Sequence, residues 1–170
     1  LMKALTVVAK GMGAFPQLYP CPNVEGDAYS VFTNKPAAGA MRGYGIPQAM
    51  FAGECHMEDV ARALGVDSIQ FRKDHRMPVG YVDGFSKNEN YADSLGQCME
   101  KGMEYLDYER KRKEYANQTG PVRRGVGMAL FWYNTAVWPI SLESSSCRMV
   151  LNQDGSIQLQ LGETEIGQGA

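Results

Sequence analysis

Apolar residues return at intervals of three and four in the middle of this chain and alternate with polar ones near its end, so helices should come first and strands last. Met50, Cys55, Met57, Val60, Ala61 and Leu64 follow the helical period from Pro47, which suits a first turn, to Gly65, which suits a stop. This predicts a helix over 47–64. Asp67 opens a second helix over 67–74, with Gln70 three positions on as a capping box and Ile69 and Phe71 facing inward. A third runs over 93–115, capped by Asp93, with Leu95, Met99, Met103 and Leu106 in register. Before these, residues 2–9 form a short apolar stretch, and Gly11, Gly13, Pro16, Pro20 and Pro22 predict an irregular passage as far as Asn23. Val31 to Thr33 reads as a short strand and the stretch from Asp74 to Tyr91 as loop.

The segment from Asn117 to Pro121 breaks the third helix, and everything beyond it reads as sheet. Residues 126–137 are rich in β-branched and aromatic side chains. Ser145 to Leu151 should pair with Ser156 to Leu161 across the turn Asn152 to Gly155. In the second of these strands Ile157, Leu159 and Leu161 alternate with Gln158 and Gln160, which predicts one buried face and one polar face. The expected class is α+β, a helical part followed by a mainly antiparallel β part, divided into units of 1–120 and 121–170.

Composition narrows the function. The 170 residues are 44% hydrophobic, enough for a core, and carry a net charge of -2, which supplies no basic field for nucleic acid. No apolar run is long enough to span a membrane and none reads as a signal peptide, so a cytoplasmic protein is expected. Cys21, Cys55, Cys98 and Cys147 are too far apart for a C-x-x-C metal pair and are expected to be buried free thiols. His56 and His75 have no carboxylate at ligand spacing and are expected to be structural or on the surface. The charged run Glu109 to Tyr115 interleaves both signs and reads as a solvated helix face.

Candidate chemistry lies in two glycine-rich loops. Thr33 to Gln48 places Gly39, Gly43 and Gly45 directly before the first well-marked helix, where free amides and close approach would favour an anionic or oxygen-rich ligand. Gly162 to Gly169 ends the last strand, and there Gly167 and Gly169 flank Gln168, whose amide has a donor and an acceptor to offer.

Taken in order, Thr33-Asn34, Gly39 to Gly45 with Pro47-Gln48, Glu54, Asp59 to Ala61, Gly65 to Asp67, Phe71-Arg72, Gly125 to Gly127 and Gly162 to Gly169 resemble the molybdenum-cofactor-binding subunit or domain of the xanthine dehydrogenase and aldehyde oxidase family of molybdenum hydroxylases. The resemblance implies that Met41 and Arg42 bind the molybdenum cofactor, Arg42 beside the metal through its backbone, and that Ile166, Gly167 and Gln168 line the molybdopterin. It also implies that Tyr44 stacks on a flat substrate and that Lys10 lies near it. Met41 stands where many relatives have Phe, and Lys10 falls near where purine-oxidising relatives carry Arg. The implied parent hydroxylates an N-heterocycle or an aldehyde with water as the oxygen source and passes electrons to iron–sulfur clusters and FAD on partner subunits or domains.

The family's glutamate base lies beyond the last residue of this chain, and none of Glu54, Glu143, Glu163 or Glu165 matches its motif, so no catalytic residue is assigned. The chain reads as a fragment, inactive by itself. The alternative is a non-catalytic ligand-binding or assembly module. Against it, Gly43-Tyr44-Gly45 leads into Ile46-Pro47-Gln48, which is neither a dinucleotide fingerprint nor a phosphate loop.

Overall fold

The computed structural model describes residues 2–36, 39–84, 86–133 and 144–169. The chain order is α1 (Met2–Leu18), α2 (Ile46–Leu64), α3 (Ser68–His75), α4 (Ser94–Leu106), α5 (Tyr108–Tyr115), β1 (Cys147–Leu151) and β2 (Ile157–Leu161). Leu18, Ile46, Met50, Ile69, Met99, Tyr108 and Leu130 form the core, so all five helices surround one apolar centre apart from the hairpin.

α1 corrects the sequence reading: a helix runs straight through Gly11, Gly13 and Pro16 to Leu18, where an irregular passage was expected. Tertiary burial overrides local propensity here, because Ala14, Gln17 and Leu18 in its last turns are almost fully buried. Gly11 is needed for the crossing of α1 and α2: a Cβ there would stand 3.1 Å from the Gly45 carbonyl oxygen.

α2 and α3 are as expected to within a residue, with Gly65 at φ 68° stopping α2 and the Asp67 carboxylate accepting from the Ile69 and Gln70 amides. The Gln70 side chain does not close the capping box; it donates to Asp74 at 2.6 Å. Phe71 is half-buried with its ring against His75. The expected helix over 93–115 is two helices, broken at Asp107, whose φ of 49° and ψ of 51° are left-handed. The loop after α3 stays irregular, with one isolated bridge between Val82 and Glu89. The buried Asp83 carboxylate anchors it by accepting from Gln17 at 2.9 Å.

The β part is smaller than expected. Val31 to Thr33 is not a strand, and residues 122–133 run as irregular chain, while 134–137 and Glu143 lie outside the described residues. Val126, Met128, Leu130 and Trp132 nevertheless pack on the helical core. β1 and β2 pair antiparallel as expected, Cys147 opposite Leu161 and Leu151 opposite Ile157. The expected buried face is not there: every β2 residue is exposed, because no layer of the described residues covers the hairpin. The four cysteines are also exposed free thiols, not buried ones, since Cys55 and Cys98 sit on the outward sides of their helices. Both histidines are exposed as well.

Candidate functional site

The two glycine-rich loops meet. Arg42 lies in the turn Met41–Gly45, which is closed by the Tyr44 amide donating to the Met41 carbonyl at 2.7 Å and the Ile46 amide donating to the Gly43 carbonyl at 3.0 Å. From this turn the Arg42 guanidinium donates Nη1 to the Ile166 carbonyl at 3.1 Å, across 124 residues of sequence. Gly43 and Gly45 are not open to a ligand as the sequence suggested. A Cβ on Gly43 would meet the Pro47 ring at 2.3 Å, and one on Gly45 would meet the Val7 carbonyl oxygen at the same 2.3 Å. These two glycines allow the turn and the seating of α1; Gly39, with nothing within 4 Å, keeps the open space.

The second loop is wound on itself. Gln168, expected to offer its amide to a ligand, accepts from the Ile166 amide and donates to the Thr164 carbonyl, each at 2.6 Å. The Glu165 carboxylate accepts from the Gly167 amide and, at 3.3 Å, from the Gly169 amide. The turn thus satisfies its own amides with its own carboxylate. The sequence showed the glycines but not this pairing, which depends on the positive φ of both.

On the other side of the first turn, Tyr44 takes φ 54° and shares a hydrogen bond of 2.9 Å with Thr6 Oγ1 of α1. Lys10, one helical turn beyond Thr6, has its Nζ 4.9 Å from the centre of the Tyr133 ring and 3.4 Å from the Tyr133 hydroxyl. Tyr44 and Lys10 therefore project from one neighbourhood on the face of α1 that carries Thr6. Thr6 and Tyr133 were missed in the sequence, because the glycines and proline of α1 hid the helix whose spacing pairs Thr6 with Lys10. Met41 is 77% exposed.

Behind these loops lies a buried polar cluster. Arg72, 2% exposed, donates Nε to Glu54 at 2.8 Å and Nη1 to both Glu58 and the Ser68 carbonyl at 3.0 Å. Glu54 also accepts from the Tyr19 hydroxyl and, at 2.9 Å, from the Leu130 amide. Burial, together with the Glu54 carboxylate, pushes the Tyr19 phenol far above the ordinary tyrosine range. Burial would lower Arg72, and its carboxylate partners more than reverse this. A groove of about 940 Å³ borders the cluster, between α2, α5 and residues 126–131. Its charged groups are already spent on one another, so the cluster ties helices together and the groove lacks the chemistry of the loops.

Among the described residues no three His, Cys, Asp or Glu side chains converge on a metal position. The Arg42 guanidinium and the open backbone at Gly39 suit an oxygen-rich anionic organic cofactor such as molybdopterin, while the Gly167 and Gly169 amides are already taken by Glu165.

Comparison with known proteins places the chain in a family. Two models described as molybdopterin cofactor-binding domains match residues 2–75 and 101–170. The xanthine dehydrogenase molybdenum-binding subunit of Escherichia coli O157:H7 is 40% identical over 165 residues, 97% of this chain and 22% of that protein. The aldehyde oxidoreductase of Megalodesulfovibrio gigas is 31% identical over 89% of this chain and 16% of its own length. The crystal structure of the aldehyde oxidoreductase from Desulfovibrio desulfuricans superposes with a TM-score of 0.75 at 28% identity, covering 92% of this chain and 17% of that one. The chain thus spans about a fifth of the length of such relatives. No described helix is long and apolar enough to cross a membrane. With both matched models and these relatives in agreement, the chain belongs to the molybdopterin-binding domains of the xanthine dehydrogenase and aldehyde oxidase family.

Proposed function

We propose that this chain is part of a molybdenum hydroxylase that adds oxygen from water to an N-heterocycle or an aldehyde and passes the electrons to iron–sulfur and FAD partners. The observation that carries the reading is the hydrogen bond from Arg42 to Ile166, which brings the loops of the two matched models to one place. On this reading residues 1–120 close one cofactor-binding domain and 121–170 begin the next. Their seam is intimate, since Val126 to Trp132 packs on the helices.

Met41 and Arg42 from the first loop, and Ile166, Gly167 and Gln168 from the second, would hold the cofactor. Bound there, it supplies a molybdenum centre able to take two electrons from the substrate carbon. The chain's own residues bind and orient. Arg42 adds positive charge beside an anionic cofactor. The Tyr44 ring, held by Thr6, offers a face for a flat heterocycle, and Lys10 offers an ammonium donor to a substrate oxygen or nitrogen.

The test is turnover of a panel of heterocycles and aldehydes by the whole hydroxylase in ¹⁸O-labelled water, with molybdenum measured in the same preparation. Label in the product together with stoichiometric molybdenum is expected. Product oxygen derived from dioxygen, or a whole protein without molybdenum, would overturn the reading. Within the active enzyme, Tyr44→Ala should raise KM on the order of tenfold, the worth of one lost aromatic stacking contact, with a smaller change in kcat.

A further inference from the structure

Gly167 and Gly169 both have positive φ, 91° and 82°, yet their surroundings differ. A Cβ on Gly169 would meet nothing within 4 Å, whereas one on Gly167 would stand 2.0 Å from Arg42 Nη1 and 3.3 Å from its Cζ. The backbone conformation accounts for a glycine at both positions. Only at Gly167 is the missing side chain also room that another residue uses.

The occupant is held from both sides. Arg42 is anchored through the Met41–Gly45 turn to the start of α2, while the Thr164–Gly169 turn is tied internally by Gln168 and Glu165 and continues from β2. A hydrogen-bonded turn on the helical part thus reaches a hydrogen-bonded turn on the exposed hairpin through one charged donor and one carbonyl, 3.1 Å apart. A hydrogen bond from a charged donor is stronger than a neutral one, and a guanidinium can fill a cleft lined by bare backbone.

We infer that Arg42 acts through its side chain as a latch: the guanidinium, seated on Gly167 and bonded to the Ile166 carbonyl, positions the 164–169 turn against the first glycine loop. Arg42 is in this respect a positioning residue, and Gly167 is the seat of its guanidinium. The latch is a property of this chain; its consequence, that the turn is preset to receive the cofactor, rests on the function proposed above.

Amide hydrogen exchange of the full chain reads the latch directly. The amides of Ile166, Gly167 and Gly169 should be protected in the wild type. In Arg42→Gln they should exchange about two- to fivefold faster, the worth of a charge-assisted bond exposed to solvent, while the β1 and β2 amides stay unchanged. Arg42→Lys, which keeps the charge and loses the fork, should fall between. Gly167→Ala should open the turn more in the wild type than in the Arg42→Gln background, because φ strain is common to both and the collision is not.

An unprotected wild-type turn, exchange unmoved by Arg42→Gln, or equal effects of Gly167→Ala in the two backgrounds would each overturn the latch. The β1 and β2 amides report any variant that fails to fold, and Arg42→Lys then carries the comparison. In the whole hydroxylase, Arg42→Gln should lower molybdopterin content and Arg42→Lys should restore part of it. Faster exchange in a protein whose wild type holds no molybdopterin would uphold the latch and remove the function reading; unmoved exchange in a molybdopterin-loaded protein would do the reverse.

Discussion

A guanidinium in a protein interior is tolerated when its N–H groups find acceptors, and Arg72 meets that condition only through Glu54, Glu58 and the Ser68 carbonyl. Glu54→Ala would strip partners from Arg72, Tyr19 and the Leu130 amide together. It should destabilise the fold by about 3–5 kcal/mol, the range for breaking a buried ion pair, read as a lower urea midpoint. Glu58 sets a pH dependence. Burial pushes its carboxyl up, but Arg72 and Ser68 pull it further down, so its folded value lies below 4.5. A depressed carboxyl gives stability that is present in full above the unfolded value and lost as pH falls through the folded one. The urea midpoint should therefore drop below about pH 4.5, and Glu58→Gln should flatten that part of the profile. The cluster left a trace in the sequence: Glu54 stands four residues after Met50 and seven before Ala61, a polar residue on a core stripe. Its partners could not be read there, because Tyr19, Arg72 and Leu130 come from three separate segments.

At the scale of elements, the glycines before α2 do packing work that looked like ligand work. Gly45→Ala combines a left-handed backbone with a Cβ 2.3 Å from the Val7 carbonyl oxygen. It should cost ~3 kcal/mol or more and lower Tm, whereas Gly39→Ala, in open space, should stay within about 0.5 kcal/mol. The break between α4 and α5 is a second case. Asp107 occupies a left-handed position, which costs an ordinary residue about 1–2 kcal/mol, and its exposed pairing with Arg110 returns little of that. Asp107→Gly should be neutral or stabilising and Asp107→Ala destabilising by about 1 kcal/mol in thermal melts followed by helical circular dichroism. The periodicity of 93–115 did not reveal the break, because a single residue turned left leaves the apolar spacing on either side intact. The opposite error hid α1: Gly11, Gly13 and Pro16 read as punctuation, yet Gly11 is the small residue that lets two helices cross.

Across the whole molecule the helices share a core while the hairpin stands uncovered, with Met149, Leu151, Ile157, Leu159 and Leu161 all exposed. The alternation of β2 is that of a strand made to lie against another layer. By itself the 170-residue chain should bind a hydrophobic dye and associate with rising concentration in light scattering, and Leu159→Lys should reduce both. The same chain should retain no stoichiometric molybdenum through gel filtration, since under the proposed function its two loops supply only some of the cofactor's contacts. Sequence alone determined α2, α3 and the pairing of the two hairpin strands, because caps, apolar period and turn residues are all local. The ordered series of glycine motifs likewise pointed to the family, each motif being carried by adjacent residues. Only the tertiary structure decided which glycine stands open, which admits a helix crossing and which an arginine. That difference depends on what stands within about 3 Å of a missing Cβ, and at Gly45 and Gly167 the neighbour comes from a distant part of the chain.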